Sequence, residues 1–133
     1  MSNQTLLVID DEESIRDAFT LALEDSPYKV YTAESGRAGL ALAQQIDPQL
    51  IFLDLNMPGM DGVETLRQLK QIIKDVQVHI LTAFHQEYLR PLQELAEEGI
   101  EFELTRKPID TPQIIKIVTA MMKQPNDQHL NPN

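Results

Sequence analysis

The apolar run at residues 50–53 constrains the fold of this chain more than any other feature. Four apolar residues end at a carboxylate, Asp54, and a turn sequence rich in proline and glycine comes next. A short apolar run bounded by turn signals indicates a strand that is buried on both faces, as strands are in a parallel sheet. Asp54 then lies where the strand leaves the core. By itself this position indicates only the end of a strand, because aspartate commonly opens turns.

Further strand-like runs repeat along the chain and alternate with segments of helical periodicity. The predicted strands cover residues 6–9, 28–33, 50–53, 76–82 and 101–106. The second of them is less apolar than the first, which fits the edge of a sheet. Alternating strands and helices predict right-handed crossovers and a parallel sheet covered on both faces, which is an α/β fold.

Cap residues and prolines predict where the five helices begin. Ser35 and Asp61 are expected N-caps of the second and third helices, and Asp110 or Thr111 of the last. Pro91 cannot lie inside a helix, so we expect it at the first position of a short fourth helix that stops at Gly99.

Length, composition and charge restrict the class of protein. The 133 residues suffice for one domain, which we expect over residues 1–123, followed by a polar segment 124–133 that is a disordered tail or a truncated linker. The absence of cysteine excludes disulfides and thiolate metal sites. A net charge of -10 argues against direct nucleic-acid binding. No signal peptide and no run near the ~20 apolar residues of a membrane span are found, so we expect a cytoplasmic protein with no membrane contact.

Polar residues capable of chemistry come after four of the five predicted strands. Because parallel strands end at the same sheet edge, we expect these side chains to meet there, where ligands bind in open α/β sheets. Three adjacent carboxylates need a counter-charge, and oxygen ligands without histidine or cysteine suit Mg²⁺, with Mn²⁺ as a substitute. The converging residues are Asp10, Asp11, Asp54, Thr82 and Lys107.

This set of groups suits phosphoryl transfer. A carboxylate such as Asp54 beside a hard cation can attack phosphorus and form an acyl phosphate. Lys107 would supply positive charge and Thr82 a hydrogen bond, because the transferring group spreads negative charge over three oxygens. Asn56 lies two residues after Asp54, where its backbone carbonyl could complete the metal shell.

The motifs that carry these residues resemble the receiver domains of two-component response regulators. The resemblance covers about residues 5–122 and rests on the sequences at 8–12, 53–62, 81–83 and 107–108. It implies a flavodoxin-like, doubly wound sheet of five parallel strands in the order 2-1-3-4-5. It also implies that Asp54 accepts phosphoryl from the phosphohistidine of a histidine kinase or a histidine phosphotransfer protein, switching an output domain or partner protein.

The resemblance also assigns roles to the surrounding residues. Asp10 and Asp11 would hold Mg²⁺ directly or through water. Thr82 would turn toward the phosphoryl oxygens and Lys107 would pair with them, with a cis peptide bond between Lys107 and Pro108.

Two segments depart from the family pattern: the interval before Lys107, and the segment between Thr82 and Gly99, which is slightly long and carries Pro91. Leu104 occupies the position three before the lysine, where an aromatic switch residue is usual, and Phe102 is the nearest aromatic. The switch residues are therefore Thr82 with Phe102 or Leu104, unless the coupled movement is absent. Phe84 lies where the family tunes water access, and we expect its bulk to slow hydrolysis of the acyl phosphate.

The leading hypothesis is a signalling phosphoacceptor that catalyses only its own phosphorylation and dephosphorylation. One alternative is a receiver-shaped interaction domain that no longer switches, which Leu104 favours but the intact acids, Thr82 and Lys107 disfavour. Another is a Mg²⁺-dependent phosphohydrolase with Asp54 as nucleophile, which Asn56 disfavours because such enzymes commonly place a titratable acid at that position. A homodimer through the fifth strand and the last helix is a further expectation.

Overall fold

The apolar runs and periodic segments form the elements that the sequence predicts. The computed structural model describes residues 4–57, 61–83 and 86–122. Its strands are β1 (Thr5–Ile9), β2 (Lys29–Ala33), β3 (Leu50–Asp54), β4 (Gln77–Thr82) and β5 (Glu103–Arg106). Its helices are α1 (Glu13–Ala22), α2 (Gly36–Ile46), α3 (Gly62–Ile72), α4 (Leu89–Glu97) and α5 (Thr111–Met122), with a 3₁₀ helix at Gln86–Tyr88. Phe84 and the segment 124–133 lie outside the described residues.

The five strands form one parallel sheet in the order β2-β1-β3-β4-β5, which confirms the predicted fold. β3 lies at the centre and every one of its residues is buried, as its uninterrupted apolar sequence predicts. β2 lies at an edge, also as predicted. In the register of the sheet Asp54 pairs with Leu81, and Thr82 pairs with Arg106, so the strands end close to one level.

Apolar side chains cover both faces of the sheet and form two cores. On one face Phe19 of α1 and Ile114 and Val118 of α5 pack against alternate strand residues, including Phe52. On the other face the side chains of α2, α3 and α4 pack against the intervening strand residues. Burial of each large apolar side chain contributes about 1.5–3 kcal/mol, so the two-sided core holds the carboxyl edge of the sheet in place.

The predicted caps begin their helices. In α2 and α3 the side-chain oxygens of Ser35 and Asp61 each accept a hydrogen bond from the backbone N–H three residues later, at 3.1 and 2.8 Å. Asp110 accepts from the N–H of Gln113 at 2.9 Å, and the Gln113 side chain accepts from the N–H of Asp110 at 3.1 Å. This reciprocal pair is a capping box, and it selects Asp110 rather than Thr111 as the cap.

The prediction for the start of α4 is wrong by two residues. The helix begins at Leu89, so that Pro91 is its third residue rather than its first. The first four N–H groups of a helix have no partner within it, so proline costs no hydrogen bond at the third position either. Gly99, with a φ of 87°, comes after the last turn as predicted. Among the described helices none is both long and apolar enough to cross a membrane.

Candidate functional site

Three acidic residues meet at the carboxyl edge of the sheet. Asp10 follows β1 directly and Asp54 is the last residue of β3. Asp10 is completely buried and Asp54 is 3% exposed, whereas Asp11 is exposed. One carboxylate oxygen from each of the three lies within 4.8 Å of the others. The structure therefore brings together the acids that the sequence selected.

The ammonium group of Lys107 reaches into this cluster. The Lys107–Pro108 peptide bond is cis, as the resemblance implies, and the Lys107 N–H donates to the carbonyl of Thr82 at 2.7 Å. Lys107 Nζ lies 3.1 Å from Asp10 Oδ2 and 3.5 Å from Asp54 Oδ1. It also lies 3.3 Å from Glu12 Oε1, a contact that sequence reasoning missed. One ammonium thus faces three carboxylates.

One oxygen of Asp10 lacks a hydrogen bond. Its Oδ1 accepts from the N–H of Glu12 at 2.9 Å, and its backbone carbonyl accepts from Arg16 Nη1 at 2.8 Å. Its Oδ2 faces Lys107 Nζ outside hydrogen-bond geometry, and no other described residue donates to it. Among the described residues this buried oxygen is paired with the Lys107 ammonium alone, and a hard cation would give it a further partner. The oxygen set of this cluster therefore fits Mg²⁺.

Burial and mutual repulsion perturb the pKa values of the site. Burial, and then the charge of Asp10, raises the pKa of Asp54 from 3.8 to about 7, although Lys107 opposes the shift. Burial likewise raises the pKa of Asp10, against the Glu12 N–H and Lys107. Burial alone would lower the pKa of Lys107, but the charges of Asp10 and Asp54 outweigh it and raise that pKa. The cluster holds more negative charge than Lys107 balances.

The loop after Asp54 is held by backbone contacts. The N–H of Asn56 donates to Asp54 Oδ1 at 3.3 Å, and that of Leu55 donates to the carbonyl of Leu81, also at 3.3 Å. Gly62 donates to the Leu55 carbonyl at 3.0 Å, and a Cβ on Gly62 would lie only 2.6 Å from the Asp54 carbonyl oxygen. Only glycine permits this approach of α3. The role of the Asn56 carbonyl as a metal ligand stays a prediction.

The predicted switch residues occupy different environments. Thr82 is 3% exposed at the end of β4. Phe102 precedes β5 and is half-buried against the core on the side of α2 and α3. Leu104 pairs with Ile80 in the register and is 37% exposed. Whether either residue moves with Thr82 stays a prediction, and Phe84 lies outside the described residues.

Sequence reasoning also missed a side-chain contact with this loop. The hydroxyl of Tyr88 donates to Asn56 Oδ1 at 3.3 Å, between positions 32 residues apart in the chain. No sequence periodicity predicts such a contact, because it depends on where the 3₁₀ helix places the ring of Tyr88.

Comparison with known proteins places the chain in a family. The family model described as response regulator receiver domain matches residues 6–119. Sporulation initiation phosphotransferase F of Bacillus subtilis (strain 168) is 32% identical over 114 residues, which are 86% of this chain and 90% of that protein. The alkaline phosphatase synthesis transcriptional regulatory protein PhoP of the same organism is 35% identical over 122 residues, 92% of this chain. The chain matches 50% of the length of that regulator.

A solved structure supports the same family assignment. Chemotaxis protein CheY4 of Vibrio cholerae superimposes with a TM-score of 0.77 at 29% identity, over 90% of this chain and 99% of that one. The matched residues include all four motifs that carry the resemblance. The chain therefore belongs to the receiver domains of two-component response regulators, a family of phosphoacceptor signalling modules.

Proposed function

We propose that Asp54 accepts a phosphoryl group from the phosphohistidine of a histidine kinase or a histidine phosphotransfer protein, and that this chain catalyses both the gain and the loss of that group. The observation that carries the proposal is a buried carboxylate 3.5 Å from an ammonium group, with two further acids within 4.8 Å. Such a cluster is suited to binding a dense negative charge only once its own charge is neutralised.

The reaction can be derived from these groups. An oxygen of ionised Asp54 attacks phosphorus, a new P–O bond forms, and the P–N bond to the donor histidine breaks. The imidazole leaves with the bonding electron pair and is neutralised by a proton. Lys107 remains charged in this environment and can follow the phosphoryl oxygens, while the Thr82 hydroxyl can donate to one of them. Loss of the group is the attack of water on the same phosphorus, which restores the Asp54 carboxylate.

The metal ligands proposed are the carboxylates of Asp10, Asp11 and Asp54 and the backbone carbonyl of Asn56. Mg²⁺ is the expected cation and Mn²⁺ a substitute, because all four groups offer oxygen. When bound, the cation would neutralise charge on the transferring group and favour ionised Asp54. The buried Oδ2 of Asp10, which is paired with Lys107 alone among the described residues, supports this assignment.

Receiver domains work between histidine kinases and output domains, and we propose the same position for this chain. The output would be an attached domain or a separate partner protein. Leu104 on β5 and Ile115 on α5 are 37% and 43% exposed, and these exposed apolar side chains support the proposal of a homodimer through β5 and α5. The net charge of -10 favours protein partners over nucleic acid.

Intact mass spectrometry after incubation with acetyl phosphate and Mg²⁺ tests the proposal. We expect one added phosphoryl group in the parent and none with EDTA or in Asp54→Asn. Asp25→Asn, which removes an exposed acid far along the sequence from the site, is the matched control and should be labelled like the parent. Because rapid hydrolysis could hide the adduct, beryllofluoride binding is measured in parallel. If the parent neither gains a phosphoryl group nor binds beryllofluoride, the proposal is refuted.

A further inference from the structure

The side chain of Tyr88 connects the start of α4 to the loop that carries Asp54. Tyr88 ends the 3₁₀ helix and immediately precedes α4. Its hydroxyl donates to Asn56 Oδ1 at 3.3 Å, and the N–H of Asn56 donates to Asp54 Oδ1, also at 3.3 Å. One residue, Asn56, therefore stands between the tyrosine and the acceptor carboxylate, with a hydrogen bond on each side.

The position of the Tyr88 hydroxyl is set by packing of its ring. The ring is half-buried and packs against the apolar core on the side of α2 and α3. A tyrosine orders few rotatable bonds, so a packed ring presents its hydroxyl at low entropic cost. Ring packing therefore holds the hydroxyl beside the carboxamide of Asn56.

α4 packs against the core through the buried Leu95 and the half-buried Leu92, and residues beyond each of its ends make polar contacts with other elements. Leu95 is its only fully buried residue. Beyond its last turn Glu98 accepts from Arg67 of α3, at 3.0 Å for Nη2 and 3.3 Å for Nε. At its first turn Tyr88 occupies the cap position but makes no side-chain cap to the helix. The Tyr88 hydroxyl contacts Asn56 in the loop that follows Asp54.

We infer that Tyr88 is a positioning residue that couples Asp54 to α4 through the carboxamide of Asn56. The inference rests on the proposed function of Asp54. A cation or phosphoryl group at Asp54 changes the oxygen to which the Asn56 N–H donates. A resulting shift of Asn56 would alter its hydrogen bond with Tyr88, the residue immediately before α4. Because coupling of two sites is reciprocal, Tyr88 must in turn affect how tightly the acceptor site binds its cation.

A double-mutant cycle on Mg²⁺ affinity tests the route. The probe is Mg²⁺ alone, titrated by calorimetry into the unphosphorylated parent, Tyr88→Phe, Asn56→Ala and the double variant. Loss of one hydrogen bond predicts about two- to tenfold weaker Mg²⁺ binding by Tyr88→Phe. In the Asn56→Ala background, Tyr88→Phe should not change the Mg²⁺ affinity further, because the carboxamide that accepts the Tyr88 hydrogen bond is already absent. Tyr31→Phe, a half-buried tyrosine of β2, should bind Mg²⁺ like the parent.

Amide chemical shifts give the second readout. Adding beryllofluoride to the parent should shift the amides of α4, and in Tyr88→Phe the shifts in α4 should fall to less than half while those next to Asp54 persist. Unchanged or tighter Mg²⁺ binding by Tyr88→Phe, or an equal loss in the Asn56→Ala background, would overturn this inference alone. A parent that binds neither Mg²⁺ nor beryllofluoride would overturn the proposed function, and this inference with it.

Discussion

Replacing Asp54 by asparagine is expected to stabilise the metal-free protein at neutral and alkaline pH. Asp54 is 3% exposed, next to the fully buried Asp10, and both share the single ammonium of Lys107. The folded chain therefore carries a carboxylate that is harder to ionise than in the unfolded chain. Asparagine keeps the shape of the side chain and removes the charge.

The pKa of Asp54 sets the size and the sign of this effect. Its folded pKa of about 7 lies above the ordinary 3.8, so the folded protein holds a proton between these values that the unfolded chain has lost. Stability is thus unaffected below about pH 4 and falls as the pH rises toward 7. At about 1.4 kcal/mol for each pKa unit, this shift sets an upper limit of roughly 4 kcal/mol on the penalty. We expect Asp54→Asn to gain about 2–4 kcal/mol at pH 8 and close to nothing at pH 4.

Urea unfolding in EDTA between pH 4 and 8 measures the gain. Asp25→Asn, an exposed acid, controls for the change in net charge and should behave like the parent. Saturating Mg²⁺ should stabilise the parent more than Asp54→Asn, because a ligand that binds only the folded state adds to its stability. If Asp54→Asn is no more stable than the parent at pH 8 in EDTA, the negative charge of Asp54 is already balanced in the folded protein, and the reasoning is wrong.

Four further substitutions test other parts of the structure, the last of them as a control. Lys107→Met removes the ammonium from a buried acidic cluster and should destabilise the metal-free protein by about 3 kcal/mol at pH 8. The loss should be smaller at pH 5, where the cluster carries less negative charge. An equal loss of stability at both pH values would contradict the charge imbalance at this site. His79 is 6% exposed and burial lowers its pKa from 6.5 to about 4, so the folded state excludes a proton that the unfolded chain takes up. The parent should therefore lose up to about 3 kcal/mol relative to His79→Gln as the pH falls from 6.5 to 4; parallel urea-unfolding curves against pH would refute this. Gly62→Ala places a methyl group against backbone oxygens at 2.6 and 2.9 Å and should cost about 3 kcal/mol in urea unfolding. Gly39→Ala meets the movable side chain of Ile9 and should cost less; the reverse order would contradict the packing described.

Local sequence was enough to predict the strands and the polar residues at their carboxyl ends. β3 is apolar throughout because both its faces are covered, and a carboxylate at its end can only lie at the sheet edge. The same rule predicted that Asp10 and Lys107 lie at that edge. The caps at Ser35 and Asp61 could be predicted from their residue types. Parallel topology then fixes which strand ends are neighbours.

Contacts that depend on side-chain direction could not be predicted in this way. The Tyr88–Asn56 hydrogen bond and the Glu12–Lys107 pair join positions that are far apart in the chain. His79 lies in the strand predicted at residues 76–82, but its pattern gives no sign that the ring nitrogens contact Thr105 Oγ1 of β5 and Met121 Sδ of α5. These contacts can be derived only when the helices have been placed. The start of α4 was misplaced because proline fits any position of a first turn, so Pro91 alone does not fix the first residue.

The proposed function depends above all on which residue takes the phosphoryl group, and chemical trapping identifies that residue. The protein is incubated with acetyl phosphate and Mg²⁺, treated with borohydride, which reduces an acyl phosphate to an alcohol, and digested for tandem mass spectrometry. We expect homoserine at position 54, absent when EDTA is present. Unmodified Asp54 with reduction at Asp10, Asp11 or another acid would contradict the assignment of Asp54 as the acceptor.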